Sequence, residues 1–184
     1  MNRSKRLWTA ALSLSLMGMS TAGYAALSAA SDSHVSFQAS GPAGMKIEGT
    51  TADLSVADDG ANVVTTVPLA NLTTGIGLRD HHMKEKYLEV PKYPVATLTV
   101  PRSALKFPRA GEQSTADVAG TVQLHGQTRP VTVHYDAKGD GSSLSVRGTF
   151  HVNMNEFGIT VPVYLGVTVK PDVDVSASFR VAGS

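Results

Sequence analysis

Six histidines are the side chains in this 184-residue chain that most readily suggest chemistry. Histidines bind metals when two of them share a face of a helix or strand, or when cysteines join them. His81 and His82 are adjacent, so on a helix they would point about 100° apart. His134 and His151 alternate with apolar neighbours and are predicted to face solvent. Because the chain also has no cysteine, we expect no metal site.

Motifs of covalent and phosphoryl chemistry are absent from the sequence as well. It contains no Gly-x-Ser-x-Gly elbow, no glycine loop that would cradle a phosphate, and no obvious nucleophile beside a base. Asp80 and His82 could form an acid–base pair, but a helix-capping carboxylate and a surface histidine explain the same two residues. We therefore predict that the protein is not an enzyme and needs no cofactor.

The elements that position these residues are predicted to be mostly strands. Apolar residues alternate with polar ones in many short runs, separated by turn signals such as Asp58-Asp59-Gly60. The runs cover residues 35–37, 45–47, 54–56, 63–69, 95–100, 105–107, 118–124, 131–135, 144–152 and 173–181. About eight strands with frequent turns predict an all-β, mostly antiparallel sheet, either closed as a barrel or folded as a sandwich.

Small residues interrupt the stripes that are predicted to face inward. Gly120, Gly148 and Ala177 occupy positions that a solidly packed core would usually fill with larger side chains. They indicate spare room inside the sheet, although glycines can also serve only to bend strands at barrel corners. The sequence leaves both interpretations open.

One polar segment departs from the strand pattern and predicts a short helix over residues 79–88. It contains no glycine, proline or β-branched residue until Val90-Pro91, which ends it. Asp80 suits the start of a helix, and Lys84 and Lys86 suit its end. Met83 and Tyr87 share a face that could cover an apolar surface, such as the open end of a barrel.

The first 25 residues are predicted to be a secretory signal peptide. Arg3, Lys5 and Arg6 precede an apolar stretch at residues 7–19, and Gly23-Tyr24-Ala25 supplies small residues for cleavage after Ala25. Cleavage would leave one domain, residues 26–184. It would also reduce Lys+Arg from 16 to 13 against 15 Asp+Glu, a net charge of about −2. We therefore expect a periplasmic protein with no nucleic-acid partner.

Three ordered segments resemble the YceI-like family. The segment LRDHHMKEKYLEVPKYPVATLTV resembles the family's Arg-Asp-x-His stretch, which is followed by an aromatic residue and Tyr-Pro. AGTVQLHGQTRPVTV resembles its Leu-His-Gly-x-Thr-x-Pro hairpin, and NEFGITVPVYLGVTVKPDVDVSASF is similar to its closing Phe-Gly-Ile and Leu-Gly segments. The resemblance implies a lipocalin-like, eight-stranded antiparallel β-barrel with a short helix capping one end. It also implies a long-chain lipid in the interior, either a polyisoprenoid or an isoprenoid quinone.

Two groups of residues are the candidates for contact with such a lipid. The candidates for the apolar tail lie on inward stripes or in the matched motifs. They are Phe37, Leu54, Val122, Leu124, Val146, Phe150, Tyr164 and Phe179. The candidates for the head group or the cap are Arg79, Asp80, His82, Met83, Tyr87 and Arg129. Arg79 and Asp80 could instead form an ion pair that pins the helix.

Three functions remain in competition at this point. The leading one is a periplasmic carrier or store of an isoprenoid lipid, with transient membrane contact. The others are a stress-related interaction module with a closed, ligand-free barrel, and an enzyme acting on a lipid at the barrel mouth. The sequence does not define the oligomeric state.

Overall fold

The computed structural model describes residues 32–140, 143–164 and 167–182, with Tyr164 and Val167 described by their backbone alone. The predicted signal peptide, residues 1–25, lies outside the described residues. The strands are β1 (His34–Ser40), β2 (Lys46–Thr51), β3 (Ser55–Asp58), β4 (Asn62–Pro68), β5 (Val95–Pro101), β6 (Gln113–Leu124), β7 (Gln127–Asp140), β8 (Ser143–Asn153), β9 (Val163–Tyr164), β10 (Val167–Thr168) and β11 (Asp172–Ala182). The helical segments are α1 (Gly77–His82), a wider helical turn that continues it (Met83–Tyr87), and single turns at Pro42–Gly44, Arg102–Ala104 and Met154–Phe157.

Nine of these strands form one curled antiparallel sheet, which confirms the predicted fold class. Their order is β2-β1-β11-β8-β7-β6-β5-β4-β3, and β9 and β10 form a separate small hairpin. The edge strands β2 and β3 are consecutive in the chain and joined by only three residues, 52–54. Four residue steps span at most about 14 Å, so the two edges of the sheet must lie close together. The sheet is therefore rolled into a half-barrel.

The sheet has one strand more than the predicted eight. Its two short edge strands, β2 and β3, correspond to the separate runs at residues 45–47 and 54–56. The exposed edge of β2 is partly covered, since the amide and carbonyl of Thr50 bond to the carbonyl and amide of Thr73 at 2.7 and 2.9 Å. Such cover reduces the tendency of an edge strand to pair with other chains.

The strand predicted at residues 105–107 is not present. The chain instead forms an irregular segment after the turn at Arg102–Ala104. Leu105 packs against the core, and the backbone amide of Lys106 donates to the Tyr135 hydroxyl at 2.9 Å. The Tyr135 side chain of β7 thus accepts the hydrogen bond that the Lys106 amide would otherwise donate to a neighbouring strand.

One end of the half-barrel is packed solid. Its buried core consists of Val100, Val118, Val133, Tyr135 and Ala137, which come from β5, β6 and β7. Leu98 and Phe150 touch this core and also a second cluster around Val122, Phe157 and Val173. These two side chains therefore mark the boundary between the packed end and the other half of the interior.

The two inward glycines have different surroundings. A Cβ on Gly120 would lie 3.0 Å from the carbonyl oxygen of Thr99 and 3.1 Å from a methyl of Val100. A Cβ on Gly148 would meet only a Val133 methyl, at an ordinary 3.7 Å. Gly120 thus permits the close approach of β5, whereas Gly148 leaves space for a methyl group.

This difference predicts opposite effects of two matched substitutions. Gly120→Ala should lower the free energy of unfolding by about 1–3 kcal/mol, because the added methyl overpacks against backbone. Gly148→Ala should be neutral or stabilising by up to about 1 kcal/mol, because it only restricts the unfolded chain. Urea unfolding of both variants measures the effect, and equal destabilisation would contradict the assignment.

Candidate functional site: an apolar cavity beneath a helical cap

The other half of the half-barrel is hollow. Its cavity has a volume of about 770 Å³, within the range of roughly 300–1,000 Å³ typical of ligand pockets. The wall consists mainly of apolar side chains from the strands, including Phe37, Leu98, Val122, Phe150 and Val175. The lining is therefore suited to an apolar ligand.

A helix closes part of the cavity, as the sequence predicted. The predicted helix at residues 79–88 corresponds to α1 and the wider turn that follows, together Gly77–Tyr87. Arg79, Met83 and Tyr87 are half-buried, and all three line the cavity. His82 and Lys86 also line it but are largely exposed. The helix thus places apolar side chains on the cavity and basic ones at its edge.

The start of the helix is anchored through two threonines rather than through an Arg79–Asp80 ion pair. Asp80 accepts hydrogen bonds from the Thr73 hydroxyl at 2.6 Å and from the Thr74 amide at 2.7 Å. Arg79 donates from Nε to the Thr74 hydroxyl at 2.7 Å and from Nη2 to its carbonyl at 2.8 Å. Desolvation raises the pKa of the Asp80 carboxyl, but the hydrogen bonds from Thr73 and Thr74 outweigh it and lower that pKa below its usual value.

The end of the cap is tied to the barrel by His125. Its Nδ1 lies 3.0 Å from the carbonyl oxygen of Phe157, and its Nε2 lies 3.1 Å from a carboxylate oxygen of Glu89. The Tyr93 ring lies against the imidazole, with centroids 4.6 Å apart. Both imidazole nitrogens face oxygen acceptors, and both can donate only when the ring carries its positive charge.

Two residues of this junction have an unfavourable backbone conformation. Glu89 and His125 have φ values of +46° and +50°, in the left-handed region that costs non-glycine residues about 1 kcal/mol or more. His125 and Gly126 form the two-residue turn between β6 and β7, and a Cβ on Gly126 would lie 2.7 Å from the Tyr93 ring. The junction contacts hold this geometry in place.

The predicted tail contacts divide into two groups. Phe37, Val122, Leu124 and Phe150 line the cavity. Leu54, Val146 and Phe179 do not: Leu54 lies between the two edge strands, Val146 packs against the solid end, and Phe179 pairs with Val146 across β8 and β11. The side chain of Tyr164 lies outside the described part of the chain.

The predicted head-group and cap residues divide in the same way. Arg79, His82, Met83 and Tyr87 line the cavity. Asp80 faces Thr73 and Thr74, and the Arg129 Nε donates to the Glu156 carbonyl at 2.9 Å. Neither Asp80 nor Arg129 belongs to the cavity lining.

Several cavity residues escaped the sequence analysis. Ile76 and Leu78 precede the predicted helix, and Val163 lies in the small hairpin of β9 and β10. The segment Gly75-Ile76-Gly77-Leu78 could have indicated these contacts, because two large apolar residues lie close together beside glycines in a predicted loop. Leu69 and Leu72, which are buried, were also missed.

The histidines on the outer wall pair with carboxylates. His134 Nδ1 lies 2.6 Å from Asp117, and His151 lies between Asp174 and Asp172, whose hydrogen bonds raise the pKa of its imidazole. Across the residues that the structure describes, no group of three or more potential metal ligands could hold an ion. The described helices include none that is long and apolar enough to cross a bilayer.

A half-barrel with an apolar cavity under a helical cap defines the architecture of a binding domain for an apolar ligand. The model of the YceI-like domain matches residues 27–181, so the chain belongs to the YceI-like family. The UPF0312 protein of Pseudomonas savastanoi pv. phaseolicola is 32% identical over 136 residues, 70% of this chain and 67% of that protein.

Solved structures share the fold at low sequence identity. A polyisoprenoid binding domain from Saccharophagus degradans, implicated in plant cell wall breakdown, is 19% identical with a TM-score of 0.72. The match covers 86% of this chain and 98% of that one. BcnA of Burkholderia cenocepacia is 18% identical with a TM-score of 0.64, and the match covers 80% of this chain and 95% of that one.

The hydrogen bonds that Asp80 accepts from Thr73 and Thr74 predict that the stability of the cap depends on pH. A carboxylate whose pKa is lower in the folded state stabilises the fold above its unfolded pKa of about 3.9, and this stabilisation is lost as the pH falls through the folded value. At pH 7, Asp80→Asn should therefore speed amide exchange several-fold in Gly77–Tyr87, since hydrogen bonds of about 1 kcal/mol each are weakened.

Glu85→Gln is the matched control, because Glu85 is exposed on the same helix. It should leave amide exchange in the cap unchanged. The stability difference between wild type and Asp80→Asn, followed by urea unfolding, should shrink below about pH 4. A difference that stays constant from pH 7 to pH 3 would contradict the role assigned to the carboxylate.

Proposed function

We propose that this protein binds a long-chain isoprenoid lipid or isoprenoid quinone in its cavity and carries or stores it in the periplasm. The observation that supports this proposal best is the apolar cavity of about 770 Å³ at one end of the half-barrel. Each methylene transferred from water into such a lining contributes about 0.8 kcal/mol, so a few branched isoprene units supply a large driving force. The predicted signal peptide supports the periplasmic location.

The comparisons support the isoprenoid class of ligand. The Saccharophagus degradans domain with the same fold is described as a polyisoprenoid binding domain. The shared fold makes a related ligand the first candidate for this chain. A lipid with a long tail would also need shielding from water during passage through an aqueous compartment.

The cap supplies the polar end of the proposed site. Among the described residues that line the cavity, three have ionisable side chains, Arg79, His82 and Lys86, and all three are basic. A quinone carbonyl or another electron-rich head group would find donors there, while the tail extends toward Phe150 and Leu98. The interior beyond these two residues is occupied by the packed core.

Binding without catalysis is part of the proposal. Asp80 bonds to Thr73 and Thr74 and is not part of the cavity lining, which argues against the acid–base pair with His82 that the sequence allowed. The interaction module with a closed barrel is disfavoured by the cavity itself.

Organic extraction of purified protein followed by mass spectrometry tests the function. We expect a long-chain lipid at close to one molecule per protein, or uptake of added polyprenyl lipid by the extracted protein. A protein that yields no lipid and also refuses added polyprenyl lipid would favour the interaction module. Turnover of a bound lipid that is lost in His82→Ala while binding persists would favour an enzyme.

Substitutions inside and outside the half-barrel test the position of the ligand. Phe150→Glu places a charge on the cavity wall and should lower lipid loading by about tenfold or more, equivalent to roughly 1.4 kcal/mol. His134→Ala changes the outer wall and should leave loading unchanged. Ala177→Phe fills the cavity without adding a charge and should also lower loading. Equal loading of all three folded variants would show that the lipid binds elsewhere.

A further inference from the structure

The cavity opens at a rim that is apolar and exposed. Six large apolar residues in the described part of the chain are exposed, and four of them also line the cavity. These four are Met45 at 43%, Ile76 at 54%, Leu78 at 65% and Val163 at 57% exposure. We call them the rim residues. Their shared position at one opening sets them apart from apolar residues scattered singly over a surface.

Three separate segments contribute to this rim. Met45 follows the turn at Pro42–Gly44, Ile76 and Leu78 lie at the start of the cap, and Val163 belongs to the β9–β10 hairpin. Ile76 stands between two glycines at which an added Cβ would meet nothing within 4 Å. The Ile76 side chain thus projects from a segment with open space around it, and neighbouring elements do not cover it.

Basic side chains accompany the rim residues. Arg79, His82 and Lys86 line the cavity on the same helix as Leu78, and exposed Lys46 follows Met45 directly. The two carboxylates of the helix are placed differently. Asp80 is bonded to Thr73 and Thr74, and neither Asp80 nor Glu85 lines the cavity. An apolar patch bordered by cations matches the surface of a bilayer that contains anionic phospholipids.

We propose that the rim residues and their basic neighbours form a membrane-docking surface through which the protein sits on an anionic phospholipid bilayer. This proposal rests on the proposed function, because docking at the mouth would let a lipid pass between bilayer and cavity without crossing water. The apolar side chains enter the interfacial layer, and the nearby lysine and arginine side chains add electrostatic attraction to the anionic headgroups. The cap lies against the headgroups.

Vesicle cosedimentation tests the docking surface independently of the cargo. Wild-type protein should sediment with vesicles of phosphatidylglycerol and phosphatidylethanolamine that contain no polyprenyl lipid. Binding should weaken with added salt and should be much lower on phosphatidylcholine alone. Ile76→Asp combined with Leu78→Asp should lower the bound fraction by about tenfold, since two apolar contacts become repulsive charges. Ile76→Ser with Leu78→Ser should give a smaller loss in the same direction.

Two control variants separate docking from other effects. Phe107→Ser removes an exposed apolar residue that is not part of the cavity lining and should bind vesicles as wild type does. Phe150→Glu should fail to load lipid yet still bind vesicles, because Phe150 lies at the inner boundary of the cavity. Circular dichroism establishes that each variant is folded before it is compared.

The outcomes for docking and for cargo are distinguishable. Vesicle binding that is lost only in the rim variants supports the docking surface. Wild-type protein that ignores anionic vesicles, or rim variants that bind as tightly as wild type, would overturn it even if organic extraction yields a lipid. A protein that docks but never yields or accepts a polyprenyl lipid would leave the surface in place and remove the proposed cargo.

Discussion

The structure depends on an interior that its own side chains fill at one end only. A closed apolar void of about 770 Å³ would forfeit packing contacts over its whole lining and would strongly destabilise the fold. The fold can tolerate the space because it is open at the rim, where water or a ligand can enter. The solid core around Tyr135 and Val133 must then hold the half-barrel together.

The hollow end requires separate contacts to keep its cap in position. The cap is anchored at its start through Thr73 and Thr74, and Thr73 itself pairs with the edge strand β2. After its end, Glu89 and Tyr93 meet His125 at the β6–β7 turn, where Phe157 also joins. The three segments that identified the family from the sequence therefore meet at one place. In this chain they build the closure of the cavity together.

Sequence patterns predicted the faces of the strands better than positions along the barrel. Alternation correctly placed Phe150 and Val146 on the inner face of β8, but a period of two residues carries no information about position along the barrel axis. The pairing with β11 shows that position, because Phe150 lies opposite Val175 at the hollow end and Val146 lies opposite Phe179 near the solid end. The same ambiguity explains why Phe179 was expected to contact the lipid although it is not among the described residues that line the cavity. The separate runs at residues 45–47 and 54–56 matched β2 and β3, but the sequence did not show that these two strands form the opposite edges of the sheet.

The cap illustrates why a helix could be predicted while its surroundings could not. Its composition alone indicated helix, and the structure adds only Gly77 and Leu78 at the start. The hydrogen bonds of Arg79 and Asp80 depend on where the chain returns after β4, so adjacency in sequence misleadingly suggested an ion pair. Once Asp80 is bonded to the threonines, the charge that the helix presents to the cavity comes from Arg79, His82 and Lys86. A local anchor thereby gives the mouth of an otherwise apolar cavity its basic character.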